Sequence, residues 1–139
     1  MGFPDVRTEE PIEVNHVSVM LPRLAEALQE AADIYNQAAV RKVAVDGPLP
    51  NVEQGKLELT IEKWGFRFED SGKGFVRVLE FGSGDTREWA RVEPKTDRSG
   101  RLVAWRESTL LPNKRTNTRS LDGLSQTYLL NLLRRRLLS

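Results

Sequence analysis

Between residues 56 and 108, short apolar segments alternate with turn residues, and this pattern restricts the fold more than any other feature of the chain. The strand-like segments cover residues 56 to 68, 75 to 81, 87 to 94 and 101 to 108, and a glycine-containing turn follows each of the first three. Strands joined by turns this short pair with their neighbours in antiparallel order. We therefore predict a four-stranded antiparallel meander over residues 56 to 108.

The first of these segments holds two apolar series that are out of phase. They are Leu57, Leu59 and Ile61, followed by Trp64, Phe66 and Phe68. Because side chains point to alternate faces of a strand, one regular strand cannot place both series on the same face. We predict a β-bulge or a break near residues 63 to 65.

The region before the sheet predicts an extended arm followed by a helix. Ile12 and Val14 alternate with polar residues, which favours an extended arm or edge strand over residues 1 to 17. Apolar residues then recur at three- and four-residue steps, which indicates an amphipathic helix over residues 18 to 42, with Pro22 in its first turn. Two prolines and a glycine in residues 46 to 51 predict a loop.

The last part of the chain combines a basic segment with a helical pattern. Residues 111 to 120 are polar and basic, and we expect a loop there. Ser120 is a candidate N-cap for a helix over residues 120 to 138. Apolar residues cover about half of this helix, whereas a sheet covers only one side. The apolar residues beyond the side that faces the sheet, Leu129, Leu130, Leu133 and Leu137, therefore need cover. This cover could come from the first helix, from a second copy of the chain or from a foreign partner.

Together these elements predict an α+β fold in a single domain of residues 1 to 139. It consists of the four-stranded antiparallel meander, a long N-terminal helix and a C-terminal helix packed on one face, and the extended N-terminal arm. A chain of 139 residues can bury one core and is too short for two full-sized domains. Cysteine is absent from the sequence, which excludes disulfides and thiolate metal sites.

Charge and apolar patterning bear on location and partners. The sequence has no run of about eighteen uncharged apolar residues, so we expect no membrane span. The first residues carry acids where a secretory signal needs a cationic start, and we therefore expect a cytoplasmic protein. Residues 1 to 54 hold nine acids and four bases, and residues 112 to 139 hold one acid and six bases. The two ends either pair with each other or face partners of opposite charge.

Groups that could carry catalysis are sparse. His16 is the only histidine, and a lone histidine is usually structural. Asp85, Glu93 and Lys95 resemble the acid and Glu-x-Lys arrangement of metal-dependent nucleases, but Pro94 interrupts the strand that would hold the pair. We predict no catalytic residue, metal site, cofactor or enzymatic activity, with a small metal-dependent hydrolase or nuclease as an alternative.

A partner-binding surface is predicted on the basic loop and the C-terminal helix. Its residues are Lys114, Arg115, Arg119, Leu129, Leu133, Arg134, Arg135, Arg136 and Leu137. Guanidinium groups bind carboxylates and phosphates with two parallel hydrogen bonds, and arginine outnumbers lysine fifteen to six in this chain. We interpret the protein as a non-enzymatic interaction or regulatory module that docks on a larger protein or nucleoprotein assembly, such as nucleic-acid-processing machinery.

Two other partners fit the same pattern. The six cations of this surface could bind nucleic acid directly, and aromatic residues of the sheet could stack on bases. Those aromatic residues are Trp64, Phe66, Phe68, Phe75, Phe81, Trp89 and Trp105. A second copy of the chain could pack on the C-terminal helix.

The acids Glu9, Glu10 and Glu13 are predicted to form a second surface, for basic partners.

Overall fold

The computed structural model describes residues 9 to 46, 56 to 82, 84 to 110 and 113 to 138. Within these ranges the chain forms two helices and seven strands. In chain order they are α1 (Glu9–Asn36), β1 (Ala44–Asp46), β2 (Lys56–Ile61), β3 (Trp64–Asp70), β4 (Val76–Phe81), β5 (Thr86–Thr96), β6 (Leu102–Thr109), β7 (Arg115–Arg119) and α2 (Leu121–Leu138). The strands form one antiparallel sheet in chain order, which confirms the α+β class and shows that the predicted number of four strands is wrong.

The segment predicted as one strand over residues 56 to 68 is a hairpin. A two-residue turn at Glu62 and Lys63 joins β2 to β3, and Glu62 has a positive φ of 56°. The reversal pairs Ile61 with Trp64 and continues this register along both strands. It therefore brings the two out-of-phase apolar series onto one face, which is the outcome that we expected from a bulge or a break.

The remaining additional strands, β1 and β7, are short and lie at the two edges of the sheet. β1 has three residues, and β7 has the sequence RTNTR within the segment that we predicted as a basic loop. Three residues are too few to show alternation, and every residue of β7 is polar or charged, so the sequence pattern gave no strand signal in either segment. The predicted loop over residues 46 to 51 lies outside the described residues, apart from Asp46 at the end of β1.

β5 continues through Pro94 to Thr96, although we predicted that the strand ends at this proline. β4 begins at Val76, which pairs with Val92, so the last residues of β5 pair only with β6. A proline is tolerated where a strand has one open side, because no neighbour there needs its missing N–H group.

α1 begins earlier than predicted, at Glu9. The extended arm over residues 1 to 17 is therefore wrong for residues 9 to 17, and residues 1 to 8 lie outside the described part of the chain. Val17, Met20 and Leu24 are buried at spacings of three and four, which places them on one helical stripe. Pro22 lies inside the helix on its exposed side, and not in the first turn.

α1 ends at Asn36, before the predicted end at residue 42. The Asn36 side chain donates to the Val43 carbonyl and accepts from the Val43 N–H, both at 2.8 Å. Lys42 Nζ donates to the carbonyl oxygens of Asn36 and Ala39 at 2.6 and 2.7 Å. These bonds satisfy carbonyl groups that a further helical turn would otherwise have used.

α2 agrees with the predicted C-terminal helix. Ser120 Oγ accepts a hydrogen bond from the Gly123 N–H at 3.0 Å, which confirms the predicted N-cap. Tyr128 of α2 contacts Phe66 and Phe68 of β3 edge to face, with 5.1 Å between the ring centroids in each case. α1 and α2 pack side by side on this face of the sheet, and one continuous core joins the two helices to the strands.

Candidate anion-binding cleft

A cleft forms where α2 leaves one corner of the sheet uncovered. The helix starts directly after Arg119 at the end of β7, and Arg135 near its other end reaches Glu80 of β4. This diagonal course moves away from the corner at Thr109 and Arg115, which pair with each other at the opposite end of β7. The cleft has a volume of about 260 Å³.

β7 supplies one wall of the cleft. Arg115, Asn117 and Arg119 all line it, because side chains two residues apart project from the same face of a strand. The intervening residues, Thr116 and Thr118, belong to the opposite face of the sheet. The alternating sequence of β7 therefore concentrates its two arginines and its one amide in the cleft.

α2 supplies the facing wall. Thr127, Asn131 and Arg134 line the cleft and follow one another at four- and three-residue steps, which places them on one face of the helix. The other lining residues are Trp89, Glu107, Thr109 and Asn113. Only the tryptophan among them is apolar, whereas pockets for small organic ligands are mostly apolar. The lining suits a charged or strongly polar group.

Glu107 is a buried carboxylate beneath the cleft, with a relative exposure of 1%. It accepts hydrogen bonds from Arg119 Nε at 2.7 Å and from the Tyr128 hydroxyl at 2.5 Å. Burial and the nearby Glu107 carboxylate raise the pKa of Tyr128 well above its usual range, so the hydroxyl remains protonated and donates. Arg119 is thereby held in position without any ligand.

The cleft is cationic. Its charged lining residues are three arginines and Glu107, which gives a net formal charge of +2. Glu107 is engaged by Arg119, and the described part of the chain shows no ion pair for Arg115 or Arg134. The guanidinium groups of these two residues are therefore available to an anion.

Three of the predicted partner-binding cations thus meet at one place, namely Arg115, Arg119 and Arg134. Lys114 is exposed beside the cleft and does not line it. Arg135 points elsewhere, because its Nε lies 2.7 Å from Glu80 Oε2, although the two groups lack hydrogen-bond alignment. The side chain of Arg136 lies outside the described residues.

The leucines predicted to contact a partner also differ in their exposure. Leu129 has a relative exposure of 7% and belongs to the core, so the expectation that it contacts a partner is corrected. Leu133 is partly buried against the same core. α1 packs against α2 and shares one core with Leu129 and Leu133, which is the first of the three explanations that the sequence allowed, whereas Leu130 is 58% exposed. The side chain of Leu137 is outside the described residues.

The sheet aromatics do not form a surface for stacking on bases. Five of the seven lie beneath the helices and are at most 9% exposed, namely Trp64, Phe66, Phe68, Trp89 and Trp105. Phe75 and Phe81 are partly exposed, and the guanidinium groups of Arg91 and Arg67 lie 5.1 and 5.4 Å from their ring centroids.

The acid and lysine residues of the nuclease alternative are not gathered. Asp85 precedes β5 and Glu93 lies near its end, which separates them by roughly 26 Å along an extended strand. Glu93 Oε1 lies 3.5 Å from Arg106 Nη1 on the neighbouring strand. Among the described residues, no three histidine, aspartate or glutamate side chains are placed to hold a metal ion. The described side chains do not include those of His16, Glu9, Glu10 and Glu13.

Sequence reasoning missed the polar residues of the cleft. Asn117 had a detectable signal, because it alternates with threonines between two arginines in RTNTR. Thr127 and Asn131 lie at helical spacing from the predicted Arg134, and this polar series is the signal that could have found them. Glu107 gave no signal of its own, since its burial depends on partners from β7 and α2.

These features define an α+β protein in which two helices cover one face of a seven-stranded antiparallel sheet and leave a cationic cleft at one corner. Comparisons of the chain with protein-family models, with curated proteins and with solved structures found no match. Neither described helix combines the length and the apolar character needed to cross a bilayer.

Proposed function

We propose that this chain is a non-enzymatic binding module of the cytoplasm that docks on a larger macromolecular assembly by holding an anionic group of its partner in the arginine cleft. The observation that supports this proposal is the convergence of Arg115 and Arg119 from β7 and Arg134 from α2 on one cleft. Arginine binds carboxylate and phosphate groups in fixed geometry with charge-assisted hydrogen bonds.

The arrangement also suits binding without large rearrangement. The Glu107 carboxylate already fixes Arg119, and Ser120 caps the helix that carries Arg134. A site whose groups are held before binding loses less conformational entropy when the ligand arrives. Arg119 and the start of the helix that carries Arg134 are therefore ordered before an anion arrives.

Direct binding of nucleic acid is the second candidate. The arginines and the amide groups of Asn117 and Asn131 are suitable donors to phosphate oxygens. Because most sheet aromatics are buried, such binding would depend on phosphate contacts, and its affinity would fall steeply with salt concentration.

The test compares anions and variants by fluorescence anisotropy, with a labelled polyglutamate peptide and a labelled single-stranded oligothymidylate as probes. We expect binding to at least one probe, and a roughly tenfold or greater loss of affinity in the double variant Arg115→Gln, Arg134→Gln. The double variant Arg98→Gln, Arg101→Gln is the matched control, because it also removes two charges and both residues are exposed in the turn between β5 and β6. Absence of binding to both probes, or an equal loss in the control, would contradict the proposal.

A further inference from the structure

We infer that the arginine cleft is selective for a phosphomonoester dianion, presented by a phosphorylated side chain on an extended segment of the partner protein. This inference rests on the proposed function and specifies the ligand of the same cleft. Four features carry it: the net charge of the lining, the number of its donors, the pairing of the arginines on the sheet face opposite the helices, and the position of β7 at the edge of the sheet.

The net charge of the lining matches a dianion. Three arginines and one glutamate leave a formal charge of +2 in a cleft of about 260 Å³. A phosphomonoester carries a charge of roughly −1.5 to −2 at neutral pH, whereas a carboxylate carries a single charge. A carboxylate would leave the second positive charge uncompensated in the cleft.

The donors also outnumber what a carboxylate can use. Arg115, Arg119 and Arg134 present guanidinium N–H groups from two walls, and Asn117 and Asn131 add neutral amide donors. A phosphomonoester offers three terminal oxygens as strong acceptors, and a carboxylate offers two. Donors that approach from opposite sides are therefore better satisfied by a tetrahedral phosphate group.

The arginines on the sheet face opposite the helices are already paired with glutamates. Arg67, Arg77 and Arg106 lie 2.7, 3.6 and 3.5 Å from glutamate oxygens of neighbouring strands, and Arg91 lies 3.0 Å from Glu88. A long polynucleotide needs a track of available cations along its backbone. Lys56 and Lys95 of the same face lie on β2 and β5, with two strands between them, so the described part of this face provides no continuous track. The observations therefore favour a compact anion.

The position of β7 points to a peptide as the carrier. β7 is the last strand of the sheet and pairs only with β6 among the described strands. An extended peptide can add to such an edge through backbone hydrogen bonds, and its alternate side chains then face the same way. One of those side chains would lie beside Arg115, Asn117 and Arg119, which face the cleft.

The test titrates the ¹⁵N-labelled full chain with four probes and follows amide and arginine side-chain signals by NMR. The probes are a blocked heptapeptide with a central phosphoserine, the same peptide with glutamate at that position, adenosine 5′-monophosphate, and inorganic phosphate. We expect saturable shifts at Asn117 and Asn131 and at least a roughly fivefold lower Kd for the phosphopeptide than for each other probe, since only it combines the dianion with the β7 edge.

Two further measurements test the charge of the ligand and the need for the guanidinium geometry of Arg134. Affinity for the phosphopeptide should rise between pH 5 and pH 7.5, because the second phosphate pKa is about 6, while affinity for the glutamate peptide should change little over the same range. Arg134→Lys keeps the charge but removes the guanidinium fork, so it should weaken phosphopeptide binding, whereas Arg98→Lys should not. Unfolding by urea checks that both variants fold.

The outcomes separate this inference from the proposed function. Equal affinity for the glutamate peptide and the phosphopeptide would overturn the selectivity and leave the docking function standing. Equal affinity for adenosine monophosphate or inorganic phosphate would overturn the peptide as the carrier. If none of the four probes binds but oligothymidylate does, the inference fails and nucleic-acid binding is favoured. If no anion binds at all, both proposals fail.

Discussion

At the scale of single residues, the most consequential group is the Glu107 carboxylate. Its two oxygens are engaged from different elements, by Arg119 on β7 and by Tyr128 on α2. A buried carboxylate that loses a donor keeps its desolvation cost and loses part of the compensation. Glu107 therefore links the stability of the core to the position of one arginine in the cleft.

We expect Tyr128→Phe to destabilise the fold by about 1 to 3 kcal/mol, because it removes one donor from a buried carboxylate and leaves the ring packing in place. Urea unfolding followed by circular dichroism measures this change. Tyr35→Phe on α1 is the control, since Tyr35 is partly buried and its hydroxyl has no hydrogen-bond partner among the described residues. A Tyr128 variant as stable as the Tyr35 variant would show that the hydroxyl contributes nothing to stability.

At the scale of elements, the out-of-phase series of residues 57 to 61 and 64 to 68 located the β2–β3 turn but did not define its form. A bulge and a two-residue reversal both restore the phase of alternating side chains, and the sequence has no glycine at Glu62 to mark a tight turn. β1 and β7 gave no apolar signal, because β1 has only three residues and β7 has no apolar residue. The helix cap at Ser120 was predictable, because its partner is only three residues away.

The φ of 56° at Glu62 predicts that Glu62→Gly stabilises the hairpin by about 1 kcal/mol, since glycine adopts this region without the steric cost of a side chain. The exposed ion pair between Glu62 and Arg41 would be lost, but such pairs contribute little. Thermal unfolding of the variant gives the sign. Lys63→Gly, at the other turn position, is expected to destabilise instead, because the positive φ is confined to Glu62.

The N-cap of α2 gives a second prediction for an element. Ser120→Ala removes the oxygen that accepts from Gly123 N–H, and we expect a loss of about 1 kcal/mol in unfolding free energy. Ser120→Asp should retain most of the stability, because aspartate also accepts at this position and favours the positive end of the helix dipole. Equal losses in both variants, measured by urea unfolding, would contradict the role of the cap.

At the scale of the whole molecule, the sequence predicted the α+β class but neither the number of strands nor which leucines are free. The apolar circumference of α2 indicated a need for cover, yet only the packing of α1 shows that Leu129 is covered from within the chain. The cleft was equally beyond sequence reasoning, because it depends on the angle at which α2 crosses the sheet. Arg134 meets Arg115 and Arg119 of β7 there only as a result of that angle.

Acidic pH should lower the unfolding free energy of the whole fold by protonating two carboxylates. One lies on the sheet face opposite the helices and the other in a turn. The hydrogen bond from Arg91 lowers the pKa of Glu88, and the hydroxyl of Ser99 lowers the pKa of Asp97. Because both folded-state pKa values lie below the ordinary ones, their stabilisation is complete above the ordinary pKa and is lost as the pH falls through the lowered value. Unfolding free energy should therefore decrease from pH 5 to pH 3.

We expect Glu88→Gln to remove part of this pH dependence, on the order of 0.5 kcal/mol, since solvent screens a partly exposed pair. Urea unfolding at pH 6 and at pH 3 gives the comparison. Glu30→Gln, on the exposed side of α1, is the control and should leave the difference between the two pH values unchanged. A Glu88 variant with the full wild-type difference would contradict the assignment.

Arg134 and Arg135 are adjacent on α2, yet about 100° of rotation separates them, so one faces the cleft and the other is anchored at Glu80. The anchor restrains the roll of the helix about its own axis, and that roll determines how far Arg134 reaches toward β7. A substitution at Glu80 should consequently alter the aperture of the cleft from a distance, without touching whatever occupies it.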